Sequence, residues 1–228
     1  MHILYIVNEV NSGPGVLLEE ASRQGAGHTI VRTFVDEPVP ANHEPYDGLV
    51  VMGGIMGVYE AADYPFIEEA RALMRGFHAT DKPVMGVCLG AQLLASAFGG
   101  DVYKMGFEEW GFLPQTWDDA ASDDPLLSGM AQGTAIMQWH GDTFDLPNGA
   151  VRLATREKCP NQAFRIGAKS YGFQFHLEMT QATTEHWIRL RADSQGADAE
   201  QLRATSNAEA LPEAQAFARE VMRRWMRL

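Results

Sequence analysis

In the first half of the chain, short unbroken apolar runs alternate with stretches of helical spacing. His2–Val7 reads as a buried strand, Gly13-Pro14-Gly15 turns the chain, and Val16–Arg23 carries helical spacing that ends at Gly25 and Gly27. Extended character resumes over His28–Phe34. A proline-rich loop through Pro38, Pro40 and Pro45 leads into the apolar run Gly48–Met52, which stops at Gly53-Gly54. Tyr64–Phe77 reads as an amphipathic helix and Pro83–Val87 as a further buried strand. Leu89–Phe98 is apolar on nearly every face, which predicts a buried helix stopped by Gly99-Gly100. Near-continuous apolar strands joined by helices predict an α/β fold: a mainly parallel central sheet covered by helices on both faces.

The texture changes after Asp101. Gly111–Trp117, Ala135–Trp139, Val151–Thr155, Ala163–Ile166 and Tyr171–Phe175 are short extended candidates, which suggests additional antiparallel or edge strands. Beyond Thr180 the pattern is helical again. Phe217, Val221, Trp225 and Leu228 share one face of a last helix, a stripe that predicts packing on the body. No internal repeat interrupts this order. The expected organisation is a catalytic domain over residues 1–190 with C-terminal helices over 191–228 packed on the same domain.

Composition narrows the class. The 228 residues are 46% hydrophobic and 21% charged, enough for one large domain with its own core. Eighteen lysines and arginines stand against 30 acidic residues, a net charge of −12 without a basic cluster, so nucleic acid and anionic membranes are excluded as expected partners. The start, Met1–Val7, has no positively charged leader and is far too short to span a membrane, so a cytoplasmic protein is expected. Two cysteines, Cys88 and Cys159, build neither a disulfide framework nor a cysteine-rich zinc site. With no His-Glu-x-x-His spacing either, no metal and no cofactor are expected.

One cysteine has a context. Gly86-Val87-Cys88-Leu89-Gly90 lies where the strand Pro83–Val87 meets the buried helix, the strand–turn–helix setting of a nucleophile elbow. Strand and helix cross closely there, so the residues two before and two after the nucleophile must be small. The helix N-terminus favours thiolate over thiol at Cys88, and the amide of Leu89 is free to stabilise an oxyanion. Gly54, at the C-terminal end of another strand at the same sheet edge, is the natural second oxyanion donor. A thiol nucleophile also needs a base oriented by a carboxylate. Two pairs have the right spacing, His140 with Asp142 and His176 with Glu178, since positions i and i+2 of an extended chain share a face. His176 directly follows an apolar strand, whereas His140 precedes Gly141 in an expected loop, so rigid anchoring favours His176.

These residues resemble the class I, triad-type glutamine amidotransferases, and most of all the amidotransferase domain of GMP synthase and its free-standing relatives. The resemblance runs from about His2 to Thr180. It is carried by Gly53-Gly54, by Gly86-Val87-Cys88-Leu89-Gly90-Ala91-Gln92, by Trp139-His140-Gly141-Asp142, by Leu146-Pro147 and by Gly172-Phe173-Gln174-Phe175-His176-Leu177-Glu178, in that order. It implies a flavodoxin-like amidotransferase fold. It also implies that Cys88 attacks the side-chain amide of glutamine, that His176 passes a proton to the departing ammonia, and that Glu178 orients His176. Gly54 and Leu89 would then supply the oxyanion amides, Gln92 would hold the α-amino and carboxylate end, and Trp139, His140, Gly141 and Asp142 would complete that pocket with backbone groups. Two positions depart from the pattern: Leu177 and Ile55 stand where the family usually has proline.

Neither an ATP-pyrophosphatase signature nor a Gly-x-x-x-x-Gly-Lys phosphate loop is present, which excludes GMP synthesis by this chain alone. Three readings remain: a glutaminase that passes ammonia to a separate synthetase, a self-sufficient hydrolase of γ-glutamyl peptides or amides, and a binding module that keeps only the fold. An intact triad argues against the third. The loop Ile55–Asp63 and the acidic stretch Asp118–Asp124 are expected to border the cleft.

Overall fold

The computed structural model describes Met1–Leu228. Strand β1 (His2–Val7) pairs in parallel with β2 (Gly27–Arg32) on one side and β3 (Gly48–Val51) on the other. Strand β3 pairs in parallel with β4 (Val84–Val87), and β4 with β10 (Ser170–Phe173). Beyond β10 the pairing turns antiparallel through β9 (Ala163–Ile166), β8 (Val151–Thr155) and the short β6 (Thr116–Trp117), completing one eight-stranded sheet.

Period-two alternation along β1 explains the two cores. Ile3, Tyr5 and Val7 face one side, where they pack with residues of α1 (Gly15–Arg23) and α6 (Leu211–Trp225). Leu4 and Ile6 face the other, packing with α2 (Phe66–Ala79) and α3 (Leu89–Ala97). Because helices cover both faces, the parallel strands carry apolar residues on both sides. The C-terminal stripe joins the first of these cores: Phe217, Val221 and Trp225 are buried there, while Leu228 only packs against its edge. Helix α6 is also tied to α1 through the buried carboxylate of Glu20, which lies 3.5 Å from Nε of Arg223. Helix α4 (Gln181–Gln195) and the short α5 (Ala199–Thr205) precede it, so α4 runs across position 190.

The middle of the chain departs from the sequence expectation. Strand β5 spans Val102–Pro114, starting well before Gly111, and pairs with β7 (Ala135–Phe144) as a separate two-stranded antiparallel ribbon. His140 therefore sits within a strand, not in a loop. Most of the first half of β5 is exposed, so no apolar alternation marks it as a strand. The register breaks between Lys104 and Glu109, and Gly106, Phe107 and Glu108 in that stretch are exposed.

Candidate active site

Cys88 sits between β4 and α3 with φ +51° and ψ −108°, a positive-φ conformation that a side-chain-bearing residue seldom adopts. Its amide is held by the carbonyl of Phe173 at 2.8 Å. The flanking glycines are dictated by sterics. A Cβ on Gly86 would lie 2.3 Å from the carbonyl oxygen of Gly90, and one on Gly90 would lie 2.0 Å from that of Val51. Leu89 opens α3, so its amide has no partner within the helix, and Gly54 packs directly against the Leu89 side chain.

His176 and Glu178 follow β10 on the same sheet edge. The imidazole Nδ1 donates to Oε1 of Glu178 at 2.7 Å, and both residues are buried. The backbone of His176 is fixed by a 2.8 Å bond from its amide to the carbonyl of Met137 in β7. Glu178 is pinned at its carbonyl by the amide of Val16 at 3.0 Å. On the other side of the imidazole, Nε2 is buried without a hydrogen-bond partner. Gly53 lies where the two segments meet: a Cβ there would lie 3.4 Å from His176 and 3.6 Å from Cys88. Burial by itself disfavours the imidazolium, but the Glu178 carboxylate and the Cys88 sulfur outweigh it and push the pKa of His176 up to about 10. The arrangement favours the protonated imidazole of His176.

The second histidine is built differently. His140 Nδ1 faces the carbonyl oxygen of Asp142 at 2.8 Å, and Nε2 faces Oε2 of Glu109 at 3.2 Å. Both ring nitrogens face acceptors, so neither is left without a partner as Nε2 of His176 is. Its carboxylate partner is thus Glu109, the residue opposite it in the β5–β7 register, and not the side chain of Asp142. Burial would raise the Glu109 carboxyl, but hydrogen bonds from His140 and Arg156 hold it below the usual carboxylate range. Cys159 completes this second cluster, its ligating atom within 4.8 Å of those of His140 and Glu109. The three are candidate metal ligands that sequence spacing does not disclose. The donor chemistry fits an ion poorly: Glu109 is already ion-paired with Arg156 at 3.0 Å, and burial pushes the Cys159 thiol up, away from the thiolate a metal needs.

Around Cys88 opens a cleft of about 730 Å³ that contains Gly54, Gln92, Trp139, His140, Gly141, Asp142 and His176 in its walls. Further groups line it that sequence reasoning missed. The bulge of β5 contributes Phe107 and Glu108, while α4 contributes Trp187 and Leu190. Trp187 packs edge-on against the His176 ring with centroids 4.7 Å apart, and its indole N–H is anchored on the carbonyl of Asn11 at 2.9 Å. The loop starting at Ile55 does border the cleft, through Ile55, Met56, Gly57, Tyr59 and Glu60. The acidic stretch Asp118–Asp124 does not line it; Asp124 is buried elsewhere, accepting from Nε of Arg165 at 2.9 Å.

A cysteine at a strand–helix elbow, a buried imidazole–carboxylate pair and free amides at one edge of a parallel sheet have the arrangement that cysteine-dependent acyl transfer requires. The class-I glutamine amidotransferase profile matches residues 15–192, and the chain belongs to that family. The glutamine amidotransferase-like protein YfeJ of Salmonella typhimurium is 30% identical over 203 residues, covering 86% of this chain and 85% of YfeJ. GMP synthase of Porphyromonas gingivalis is 35% identical over 151 residues, 63% of this chain but only 28% of that longer protein. A crystal structure of a glutamine amidotransferase from Thermotoga maritima superposes with a TM-score of 0.88 at 28% identity, covering 100% of this chain and 99% of that one. No helix is long and apolar enough to cross a membrane.

Proposed function

We propose that the chain hydrolyses the γ-carboxamide of glutamine to glutamate and ammonia through a thioester on Cys88. The observation that carries this is the buried His176–Glu178 pair beside a cysteine held at positive φ on the elbow. The Cys88 thiolate attacks the amide carbon, forming a C–S bond, and the carbonyl oxygen takes up negative charge toward the amides of Gly54 and Leu89. The tetrahedral species collapses as the C–N bond breaks and His176 gives its Nε2 proton to the nitrogen, releasing ammonia. Water, deprotonated by His176, then attacks the thioester; the C–S bond breaks, glutamate leaves and the thiolate returns. Gln92 and the backbone from Trp139 to Asp142 hold the α-amino and carboxylate end of the substrate.

The ammonia acceptor in this reading is a separate synthetase. A relative from Natronomonas pharaonis, 30% identical over 79% of this chain and 92% of its own, supports it, since that protein is by name one subunit of a glutamine-hydrolysing GMP synthase. One observation favours the alternative of a self-sufficient γ-glutamyl peptide or amide hydrolase. The cleft of about 730 Å³ lies in the range that takes drug-sized ligands, whereas glutamine has about ten heavy atoms.

The test is ammonia release by the purified chain, combined with labelling by an electrophilic glutamine analogue. Peptide mapping is expected to place the label on Cys88 and not on Cys159, because the Cys159 thiol is buried and pushed up. Label on Cys159 alone sinks the assignment. Substantial turnover without a partner favours the hydrolase, and near-silence with a reactive Cys88 favours the synthetase-coupled glutaminase.

A further inference from the structure

Behind Cys88 lies a buried amide chain that the triad leaves unused. Gln174, fully buried, places Nε2 at 3.7 Å from Sγ of Cys88. Its Oε1 lies 3.2 Å from Nε2 of Gln92, and that same Nε2 is 3.4 Å from the carbonyl oxygen of Asp142. The orientation of both side-chain amides follows from the last group. A backbone carbonyl can only accept, so Gln92 must present its NH2 there. That NH2 also faces Gln174, which must answer with its carbonyl oxygen, and the NH2 of Gln174 is left pointing at sulfur. The backbone of Gln174 is held by its own amide on the carbonyl of Gln162 at 2.8 Å, which fixes the point from which the side chain reaches Gln92 and Cys88.

We infer that Gln174 is a further catalytic residue, a donor to the Cys88 thiolate whose orientation is set by Gln92 from the glutamine pocket. A hydrogen bond to an ionised sulfur is worth more than one to a thiol, so the contact favours the charged nucleophile before attack. It acts again when the thioester is hydrolysed: as the C–S bond breaks, the electron pair returns to sulfur, and Gln174 meets the charge of the leaving thiolate. Because Gln92 lines the cleft and fixes the donor, a substrate engaging Gln92 is coupled to the state of the nucleophile.

The inference rests on Cys88 being the nucleophile, and its test separates the two. Alkylation of Cys88 by iodoacetamide, which needs no glutamine pocket, is followed at pH 7 in the intact chain. Gln174→Met keeps length and loses the donor, and Gln174→Glu puts an acceptor in its place. Both are expected to slow alkylation roughly tenfold or more, the scale of a charge-assisted hydrogen bond, and to lower kcat more than they raise KM. Gln92→Met, which removes the group that orients Gln174, is expected to slow alkylation severalfold although Gln92 does not touch sulfur. If the buried Gln174 variants melt out, Gln92→Met alone decides. Folded variants that alkylate within twofold of the parent overturn the inference, while failure of the parent itself to be labelled at Cys88 by the glutamine analogue overturns the proposed function instead.

Discussion

The molecule contains two cysteine–histidine–glutamate clusters, and they differ in what is left unsatisfied. In the first, His176 spends one nitrogen on Glu178 and keeps Nε2 without a partner beside a cysteine held at positive φ. In the second, His140 spends both nitrogens, and the charge of its glutamate is already matched by Arg156. The Cys159 thiol is in contact with the hydroxyl of Thr143 at 3.3 Å and buried in the β5–β7 region. Residue types are the same. On the proposed function, chemistry follows from the free nitrogen and the strained backbone, while the fully satisfied cluster is expected to hold a pocket wall in place.

The sharpest way to break this comparison is to remove Cys88 and His176, the groups to which the proposed function gives the reaction. Cys88→Ala and His176→Ala are each expected to lower glutamine turnover by several orders of magnitude, on the order of 10⁴-fold or more, since members of a triad act as a unit. Cys159→Ala is expected to keep turnover within a few-fold of the parent. Ammonia release by the three variants decides; a dead Cys159→Ala beside an active Cys88→Ala would exchange the roles of the clusters.

A smaller effect is expected from Glu178→Gln, which keeps the shape but removes the charge that stabilises imidazolium; about 10²- to 10⁴-fold in kcat is anticipated. The same substitution has a signature in stability. His176 is raised to about 10 in the folded chain from about 6.5 unfolded. The folded state therefore binds the proton more tightly, and this contribution is fully present below pH 6.5 and lost as pH rises through about 10. Denaturant midpoints measured between pH 6 and 10 should fall more steeply for the parent than for Glu178→Gln. Parallel curves would mean that the carboxylate does not hold the imidazolium.

Much of the first cluster was legible because its residues are local. The elbow needs only five consecutive residues, and His176 and Glu178 are joined by the two-residue period of an extended chain. That same period places Gln174 on their face, a signal present in the sequence and not used. Glu109 could not be found this way. It meets His140 across 31 residues through antiparallel register, and the exposed, bulged half of β5 carries no apolar alternation to reveal that register. Trp187 was hidden for a related reason: α4 has only a weakly amphipathic pattern, and its contact with His176 depends on the anchor at Asn11, at the far end of the chain. The parallel core, by contrast, is buried on both faces, and burial of that kind is written as unbroken apolar runs.

The smallest effects are expected in the second cluster, and they test whether it only positions. His140→Ala leaves β7 paired with β5 on both sides of the register break, so the wall from Trp139 to Asp142 should persist but loosen. Weaker substrate binding follows, with KM raised about tenfold and kcat changed less, the pattern of a lost ground-state contact. Glu109→Gln should give the same KM-dominated split, because Gln can still meet His140 and Gln162 but leaves the partly buried Arg156 without its counter-charge. If the cluster acts as one unit, the double variant should cost less than the product of the two single KM effects, since removing His140 already releases what Glu109 holds. Steady-state kinetics on the two single variants and the double variant would measure this coupling. A kcat collapse in His140→Ala with KM unchanged would show that His140 takes part in proton transfer, and the distinction between the two clusters would fail at its most specific point.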